Sequence, residues 1–449
     1  MIAQIAAVVI FVAMFVMIVL ERLPNYIVTL TAALLTIFVV FILCMGDPSA
    51  AWQSLNLGVF ATEGFWYQAE LVGESSPGIN WETIVFIVGM MVMVGGMSSC
   101  GFFRWLCLAM AKLVNYKIKL IFLSFMILSA VFSAIIGSIT VILFLAAVKV
   151  ELSRMMKFDP VPMILSEIFT ANLGGAATMC GDPPNIIIGT SLGYSFGDFI
   201  VNTGLMAVVG LIFAVIYFYC CFRKQLVAGV EMPAGGFPDP RGAITDKNGF
   251  IRSWIIFGAT VLLLATHAQT GLTVSTIGVF IAAATLLLSG KYVGEIVQGI
   301  DWGTVLFFIG LFIAVSGLEQ TGILEVIADF IGKVSGGNAY VMVAIIIWIA
   351  AIASAFIDNI PFAATMVPVI KSLSATTGVD ISAMAWALSM GTDVGGNATP
   401  IGASANVVGT SICAKAGRPI GWGKYCRYLA PATAVVIALS MLIVFVRYL

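Results

Sequence analysis

The sequence predicts an all-α polytopic membrane protein of two inverted repeats, each with five transmembrane crossings and one re-entrant hairpin. Three observations support this fold class. Hydrophobic residues make up 61% of the chain and charged residues only 10%, whereas soluble domains carry about 25% charged residues. Apolar runs long enough to cross a bilayer recur along the chain. A polar motif inside one of these runs recurs 221 residues later.

The two copies of this motif are residues 172–189, NLGGAATMCGDPPNIIIG, and residues 393–410, DVGGNATPIGASANVVGT. Both contain the pattern G-G-x-A-T-x-x-G-x-x-x-N. In the first copy the glycines and prolines predict a helix that stops, exposes carbonyl groups and restarts at Asp182-Pro183. Hydrocarbon tolerates such a break only where protein buries it or where it lines a cavity. Paired helix ends at mid-membrane are typical of ion and substrate sites in secondary transporters.

Taken in order, the apolar runs predict ten crossings, of which the two that contain the motifs are broken. These crossings are 2–20, 26–45, 82–100, 160–189, 202–222, 253–270, 272–290, 302–320, 381–412 and 428–446. The first run lacks a positive flank and a cleavage site, so we predict a transmembrane helix and not a signal peptide. Two further runs, 119–149 and 339–370, have small and polar residues in the middle. We interpret them as re-entrant hairpins, and a single long span for each run is the alternative.

The basic residues favour the hairpin interpretation. Arg104 precedes the first hairpin run and Lys149 lies at its end, and a hairpin keeps both residues on one side of the membrane. The predicted topology then puts 18 of the 21 Lys and Arg residues on the cytoplasmic side, as the positive-inside rule requires. Lys333, Lys371 and Arg447 remain outside. Segment 46–80 has acids and no Lys or Arg, so we predict an outer loop and both termini outside.

The repeat divides the chain into residues 1–222, a cytoplasmic linker at 223–252, and residues 253–449. The register of 221 residues holds from about 81 to about 411. Each half has an odd number of crossings, which predicts that the second half is inverted in the membrane. Residues 102–113 and 322–333 precede the two hairpins and mix charged with apolar residues. We predict interfacial helices there, with an extension of the preceding span as the alternative.

Four acids lie at predicted membrane depth, where ionisable residues are costly and functional by default: Glu167, Asp182, Asp358 and Asp393. We predict no Lys or Arg at comparable depth, which favours a cation or protons over an anion as the bound species. Asp182, Asp358 and Asp393 are possible Na⁺ ligands. Neutral oxygens beside the breaks and tips complete the candidate ion- and substrate-binding set: Ser133, Thr140, Asn172, Thr178, Asn185, Asn359, Asn397, Thr399, Ser404 and Asn406.

Each candidate also has a structural interpretation. Asp182 could cap the helix that begins at Pro183, and Asp393 could cap a frayed helix end. Glu167 could extend to the inner membrane interface or pair with Arg154 or Lys157. Asn185 and Asn406 could satisfy freed backbone groups, Asp358 and Asn359 could form a turn, and the serine and threonine hydroxyls of the first tip, including Ser138, could bond the backbone.

Three segments resemble the ion transporter superfamily: CGDPPNIIIG at 180–189, SAFIDNIP at 354–361 and GGNATPIGASANVV at 395–408. The branch they resemble holds arsenite/antimonite permeases, NhaD-type sodium/proton antiporters and the melanosomal P protein, and carboxylate/sodium symporters share its architecture. The resemblance implies an elevator-type transporter. Its scaffold parts would be 1–118 and 253–335, and its transport parts would be 119–222 and 336–449. The sequence departs from many relatives at Gly137-Ser138, where they carry Asp-Asn.

The resemblance and the acids together predict an ion-coupled secondary active transporter, with Na⁺/H⁺ antiport preferred. The alternative is efflux of arsenite or antimonite, or a citrate/dicarboxylate-type anion permease on the same fold. The sequence has a single histidine, no H-E-x-x-H and no metal-spaced cysteines, so we predict no enzyme activity and no cofactor beyond Na⁺ or H⁺. We expect a homodimer in the bilayer of a bacterial-type inner membrane, with a small ion or anion as substrate and no nucleic acid partner.

Overall fold

The computed structural model describes residues 1–20, 22–67, 78–227, 236–357 and 359–449, and these residues form α-helices joined by short connections. Ten helical segments are long and apolar enough to cross a membrane. The prediction of an all-α, multi-pass membrane protein is therefore confirmed. These segments are Ile2–Val19, Asn25–Cys44, Trp81–Ser99, Ile118–Ile136, Phe196–Phe222, Lys247–Thr270, Val274–Gln298, Trp302–Gln320, Ala339–Phe356 and Trp422–Tyr448.

Twelve helices lie in the described part of the first half. They are α1 (Ile2–Val19), α2 (Asn25–Leu35, continued as a π-helix over Thr36–Cys44), α3 (Pro48–Leu55), α4 (Glu63–Trp66), α5 (Trp81–Ser99), α6 (Phe102–Leu113), α7 (Ile118–Ile136), α8 (Ser138–Met156), α9 (Val161–Gly175), α10 (Pro183–Leu192), α11 (Phe196–Phe199) and α12 (Leu205–Phe222).

Ten helices follow in the described part of the second half. They are α13 (Lys247–Thr270), α14 (Val274–Ser289), α15 (Val293–Gln298), α16 (Trp302–Gln320), α17 (Ile323–Ser335), α18 (Ala339–Phe356), α19 (Asn359–Thr377), α20 (Ile381–Gly395), α21 (Ser404–Lys415) and α22 (Trp422–Tyr448). Because α13 begins at Lys247, the predicted linker 223–252 is too long at its end. Asp246 accepts a hydrogen bond from the backbone of Asn248 and caps this helix.

Each predicted hairpin run contains two consecutive helices. The helix α7 ends at Ile136 and α8 begins at Ser138, with Gly137 between them at a φ of +90° that suits glycine. In the second run α18 ends at Phe356 and α19 begins at Asn359, two residues before Pro361. Asp358, the predicted acid of this tip, lies outside the described residues.

The two motif-containing crossings are broken as predicted. The first stops at Gly175 and restarts at Pro183, and the second stops at Gly395 and restarts at Ser404 after a 3₁₀ turn. Each break divides its crossing into two short helices. For that reason neither broken crossing is among the ten long spans. The ten include instead α7 and α18, which are the first helices of the two predicted hairpins.

The segments predicted as interfacial are separate helices, α6 and α17, and are not extensions of the preceding spans. A glycine with a left-handed backbone conformation separates each of them from the preceding helix: Gly101 with φ +80° and Gly322 with φ +75°. Both helices carry buried apolar residues on one side and charged residues on the other. Their position relative to a membrane surface stays a prediction.

Equivalent contacts recur 221 residues apart around the two broken helices. The Ser133 hydroxyl donates to the Ala171 carbonyl at 2.6 Å, and the Ser354 hydroxyl donates to the Thr392 carbonyl at 2.5 Å. The close backbone approach of Gly174 to Ala130 likewise recurs between Gly395 and Ala351. The repeat seen in the sequence is therefore also a repeat of contacts.

Each span that precedes a predicted hairpin packs against a span of the other half. The helix α5 packs on α14, where Gly89 meets the backbone of Gly278, and α16 packs on α2, where Gly310 meets Thr29. A second pair of contacts joins Gly96 to Thr285 and Gly317 to Thr36. Residues 29 and 278 are 249 positions apart, as are 36 and 285, so the repeat continues towards the N-terminus in a second register. Segment 46–80, longer than its counterpart, accounts for the change.

Candidate functional site

Asp182 lies at the restart of the first broken helix, but its side chain does not cap that helix. Its Oδ1 accepts hydrogen bonds from the Ser138 hydroxyl at 2.6 Å and from the Ser138 backbone N–H at 3.5 Å. The carboxylate also lies against Gly175, where a Cβ would collide with Oδ2. The first break and the first hairpin tip therefore meet at this acid, and the helix-capping interpretation of its side chain is wrong.

Asp393 lies inside α20 and is fully buried, so it does not cap a frayed end. Its Oδ1 accepts a hydrogen bond from Asn359 Nδ2, at the second hairpin tip, at 3.4 Å. Its Oδ2 has no hydrogen-bond partner among the residues that the structure describes. The charges of Asp393 and Asp182 interact. Two acids from the two halves, each bonded to a different hairpin tip, are thus brought together.

Asn185 and Asn406 hold the two breaks in the same way. Asn185 Nδ2 donates to the carbonyls of Gly175 and Thr178 at 3.3 and 3.0 Å. Asn406 Nδ2 donates to the carbonyls of Gly396 and Thr399 at 2.8 and 2.9 Å. The prediction that these amides could satisfy backbone groups freed by the breaks is confirmed, because buried carbonyls otherwise lose their hydrogen bonds.

A cluster of amides links the two halves. Asn172 Nδ2 donates to Asn397 Oδ1 and to Asn406 Oδ1, both at 2.8 Å. Asn172 Oδ1 is buried without a hydrogen-bond partner. Position 172 corresponds to position 393 in the repeat, so the two equivalent residues each bury one oxygen that has no hydrogen-bond donor.

The remaining candidates divide into two groups. Thr178 and Thr399 donate to the carbonyls of Ala134 and Ala355, and Ser133 donates to Ala171, so these hydroxyls tie hairpins to broken helices. Thr140 and Ser404 instead line a large cavity. Two contact residues were not among the predicted set. Ser138 was singled out only as a backbone-bonding hydroxyl, and Ser389 donates to Asn185 Oδ1 at 2.5 Å. Ser389 lies four residues before Asp393, which is the available sequence signal.

The large cavity has a volume of about 750 Å³ and reaches the hairpin tips and both breaks. Pro183 and Ser404, the first residues of α10 and α21, line it together with Thr140 and Ile360. Two helix N-termini therefore face this space, with the positive ends of their dipoles. At its other end the cavity contacts Ser98 and Asp301, at the end of α5 and the start of α16.

A smaller cavity of about 160 Å³ lies at the opposite ends of the same two helices, against Asn80 and Glu319. Each of these helices has 19 residues and is about 28 Å long. The linings of the two cavities are only five residues, or about 8 Å, apart along each helix, between Glu82 and Ile87 in α5 and between Phe307 and Phe312 in α16. Eight residues of one cavity correspond to eight of the other at the offset of 221: Gly78 and Gly299, Asn80 and Asp301, Glu82 and Gly303, Met91 and Phe312, Val94 and Val315, Gly95 and Ser316, Ser98 and Glu319, and Leu143 and Ala364.

Glu167 is engaged elsewhere. It forms an ion pair with Lys149, and both side chains are 0% exposed. The Lys149 ammonium also lies 5.0 Å from the centre of the Phe125 ring. Two predictions are therefore wrong: Glu167 pairs with neither Arg154 nor Lys157, and a basic residue does lie at the depth of the acids. Lys149 was predicted at the cytoplasmic end of its run, yet α8 continues to Met156 and neighbouring helices cover it.

The described residues contain no group of three His, Cys, Asp or Glu side chains that could hold a metal ion. Among the described residues, the other ligands available to a cation between Asp182 and Asp393 are amide, hydroxyl and carbonyl oxygens. Asn172 Oδ1 and Asp393 Oδ2 are the buried side-chain oxygens of this region that have no hydrogen-bond partner.

A profile of known protein families matches residues 15–391, and its description is "Citrate transporter". The chain belongs to this citrate transporter family. The match covers most of both halves, including the first broken helix and the second hairpin. The predicted membership of the ion transporter superfamily is thereby confirmed.

Individual relatives agree with this membership. An uncharacterized transporter of Mycobacterium tuberculosis is 31% identical over 447 residues, which covers 99% of each chain. The P protein of Sus scrofa is 26% identical over 437 residues, which covers 80% of this chain and 52% of that protein.

Among solved structures, the YdaH transporter of Alcanivorax borkumensis has a TM-score of 0.60 at 13% identity, with 98% of each chain covered. The MtrF structure of Neisseria gonorrhoeae, described as illuminating a class of antimetabolite efflux pumps, also has a TM-score of 0.60, at 12% identity, with 99% and 95% of the chains covered. The protein is therefore a multi-pass membrane transporter.

Proposed function

We propose that this transporter couples ion movement to an elevator-type motion, and that protons and a small cation such as Na⁺ compete for Asp182 and Asp393. The observation that carries the proposal is the proximity of these two buried acids, one from each half, each bonded to a different hairpin tip. Two buried carboxylates whose charges interact in a low-dielectric site repel each other, and a proton or a cation would relieve that repulsion. Occupancy of the pair therefore sets the charge of the moving unit.

The two cavities support alternating access. They lie towards opposite ends of α5 and α16, share eight repeat-related positions and differ greatly in volume. A motion that exchanged the environments of the two halves would contract the large cavity and expand the small one. By the predicted topology the large cavity faces the cytoplasm, so the structure corresponds to an inward-facing state in a bacterial-type plasma membrane, with both termini outside.

The chemical step that this chain performs is one of exchange. A proton on Asp393 neutralises its carboxylate, and the Asn359 amide, which donates to Oδ1, keeps the carboxyl group oriented. When a cation replaces the proton, Asp393 Oδ2 and Asn172 Oδ1 offer it buried oxygens with no other hydrogen-bond partner. Ser138 holds the Asp182 carboxylate, so a change of charge at the pair reaches the first hairpin tip directly.

A second candidate is transport of a small anion of the citrate or dicarboxylate type, or of arsenite. A specific observation favours it: the N-termini of α10 and α21 face a cavity of about 750 Å³, far larger than a monovalent ion needs. The positive ends of the two helix dipoles suit an anionic group. In that case the aspartate pair would carry the coupling ion, and the fold and the proposed motion would be unchanged. We also propose a homodimer formed through the scaffold parts.

The test uses purified protein in proteoliposomes with an imposed pH gradient, to which sodium, lithium, arsenite, citrate and succinate are added in turn. Collapse of the gradient by sodium or lithium alone supports cation/proton exchange. Movement of arsenite or a carboxylate without any response to the cations favours the second candidate.

Asp393→Asn should abolish coupling without affecting membrane insertion, because the amide cannot release a proton. Asp380→Asn is the matched control, since Asp380 is an exposed cap on the same helix and asparagine caps equally well. Normal coupling by Asp393→Asn would remove the aspartate pair from the mechanism.

A further inference from the structure

A cavity of about 400 Å³ lies away from the aspartate pair, between the end of α8, the start of α9 and the end of α21. Three cations line it: Arg154 in the last turn of α8, Lys157 immediately after that helix, and Arg418 just beyond α21. They come from two segments that are far apart in the sequence. Nothing in the proposed transport mechanism uses this cavity.

The positive charge of the cavity is not balanced by the protein. The ion pairs of the described residues are Arg104 with Glu151, Lys112 with Asp239, and Lys149 with Glu167, and they include none of the three cations. The single acid of the lining, Asp159, already accepts a hydrogen bond from the Val161 backbone at 3.1 Å. Like charges gathered around one space repel each other, and an anion in that space would relieve the repulsion.

The end of α8 shapes the cavity. Lys157 has φ +52°, in the left-handed region that side chains other than glycine and asparagine rarely adopt. Its backbone N–H donates to the Ser153 carbonyl and closes the helix. The negative end of the α8 dipole explains why Arg154 lies in the last turn of that helix. It does not explain why Arg418, just beyond α21, lines the same cavity.

Apart from Ser153, whose hydroxyl donates to the Val150 carbonyl, the rest of the lining is apolar: Val150, Phe158, Pro160 and Ala416. A ligand that fits would thus have a compact anionic group among the cations and apolar atoms beside it. Arginine binds phosphate oxygens in a bidentate manner, and lysine binds them as a point charge. Basic pockets between membrane helices hold phospholipid headgroups in this way.

We propose that this cavity binds a phosphate group, supplied by the headgroup of an anionic phospholipid or by free phosphate. The ligand would bridge α8, which carries the first hairpin tip at its other end, and α21, which follows the second break. It would thereby fix the second arm of the first hairpin to the second broken helix. This proposal does not depend on which ion or anion the protein transports.

The test measures how fast an amine-acylating reagent modifies Lys157 in the purified full-length protein in neutral detergent micelles, with mass spectrometry as the readout. Lys224, exposed and outside the cavity, is the internal control. Phosphatidylglycerol, phosphatidylcholine and inorganic phosphate are added separately. We expect phosphatidylglycerol to protect Lys157 at about a 100-fold lower concentration than phosphatidylcholine, which corresponds to about 1 kcal/mol for each of three cations.

Protection by inorganic phosphate alone would identify free phosphate as the source, and protection by phosphatidylglycerol alone would identify the lipid. Equal slowing at Lys157 and Lys224, or no slowing at Lys157 by any probe, would overturn the proposal. The Arg154→Gln/Arg418→Gln variant should lose the protection, whereas Arg223→Gln/Arg427→Gln, with the same change in charge outside the cavity, should keep it. Protection that persists in the first variant would also overturn the proposal, and the wild-type comparison decides alone if that variant does not fold.

Discussion

Removing one charge of the buried Lys149–Glu167 pair should destabilise the protein much more than removing both. The two side chains are 0% exposed, and neither Glu167 oxygen has a hydrogen-bond partner besides this ion pair. Lys149 Nζ has a second, long contact at 3.5 Å to the Met163 carbonyl. Lys149→Met therefore leaves an uncompensated carboxylate among apolar helices, and Glu167→Gln leaves an ammonium with little to bind.

The magnitude follows from the cost of a lone buried charge. Breaking a buried pair by removing one partner costs about 3–5 kcal/mol, whereas replacing both partners with uncharged groups of similar size is often close to neutral. The loss of the Phe125 contact adds up to about 2 kcal/mol to any variant that lacks the ammonium. We expect about 3–5 kcal/mol for Glu167→Gln, more for Lys149→Met, and about 2 kcal/mol or less for the double variant.

The assay is equilibrium unfolding in mixed micelles, with all four proteins compared under the same conditions. The quantity of interest is the difference between the double variant and the sum of the two single variants. An interaction energy of several kcal/mol is expected. If the single effects add to the double effect within about 0.5 kcal/mol, the two charges do not depend on each other and the reasoning fails.

Three further predictions concern the aspartate pair and the cavities. Ser138→Ala should change the apparent affinity for the coupling ion about tenfold or more, since it removes a hydrogen bond to a carboxylate. The control Ser124→Ala should leave this affinity unchanged, because the Ser124 hydroxyl donates only to its own helix. Equal effects of the two variants in an ion-titration assay would contradict the prediction. Gly175→Ala should abolish transport in proteoliposomes, because the added Cβ collides with Asp182, whereas Gly258→Ala, with open space around it, should transport normally. Ser98→Cys and Glu319→Cys, each in a variant that lacks the eight native cysteines, should react with an impermeant thiol reagent from opposite faces of the membrane. Labelling of both positions from the same face would refute the inverted topology.

The parts of the fold that the sequence predicts are those set by local chemistry. A glycine pair followed by Asp182-Pro183 ends one helix and starts another regardless of its neighbours, and the structure breaks there. Gly137 marks the first tip because its φ of +90° is accessible to glycine. The repeat of G-G-x-A-T-x-x-G-x-x-x-N then extended these local arguments to the second half, where the same amide and hydroxyl contacts occur.

The parts that could not be predicted depend on how helices pack. Lys149 follows an apolar run and looked like a flanking charge, and only the position of α9 brings Glu167 to it. Its neighbours Val148 and Val150, both buried, are the signal that the run continues. The role of Ser138 was equally hidden, since a hydroxyl at a helix start usually bonds the local backbone, and its partner Asp182 lies 44 residues away.

The unequal chemistry of the repeat bears directly on the proposed coupling. Positions 172 and 393 are equivalent, and each buries an oxygen without a hydrogen-bond partner, but one is an amide and the other a carboxylate. Asn172 uses its Nδ2 to hold Asn397 and Asn406, two residues of the second break, and a carboxylate there could not donate those bonds. An acid at 172 would also add a third negative charge to Asp182 and Asp393. The amide at 172 therefore holds the second break without adding a negative charge beside Asp182 and Asp393.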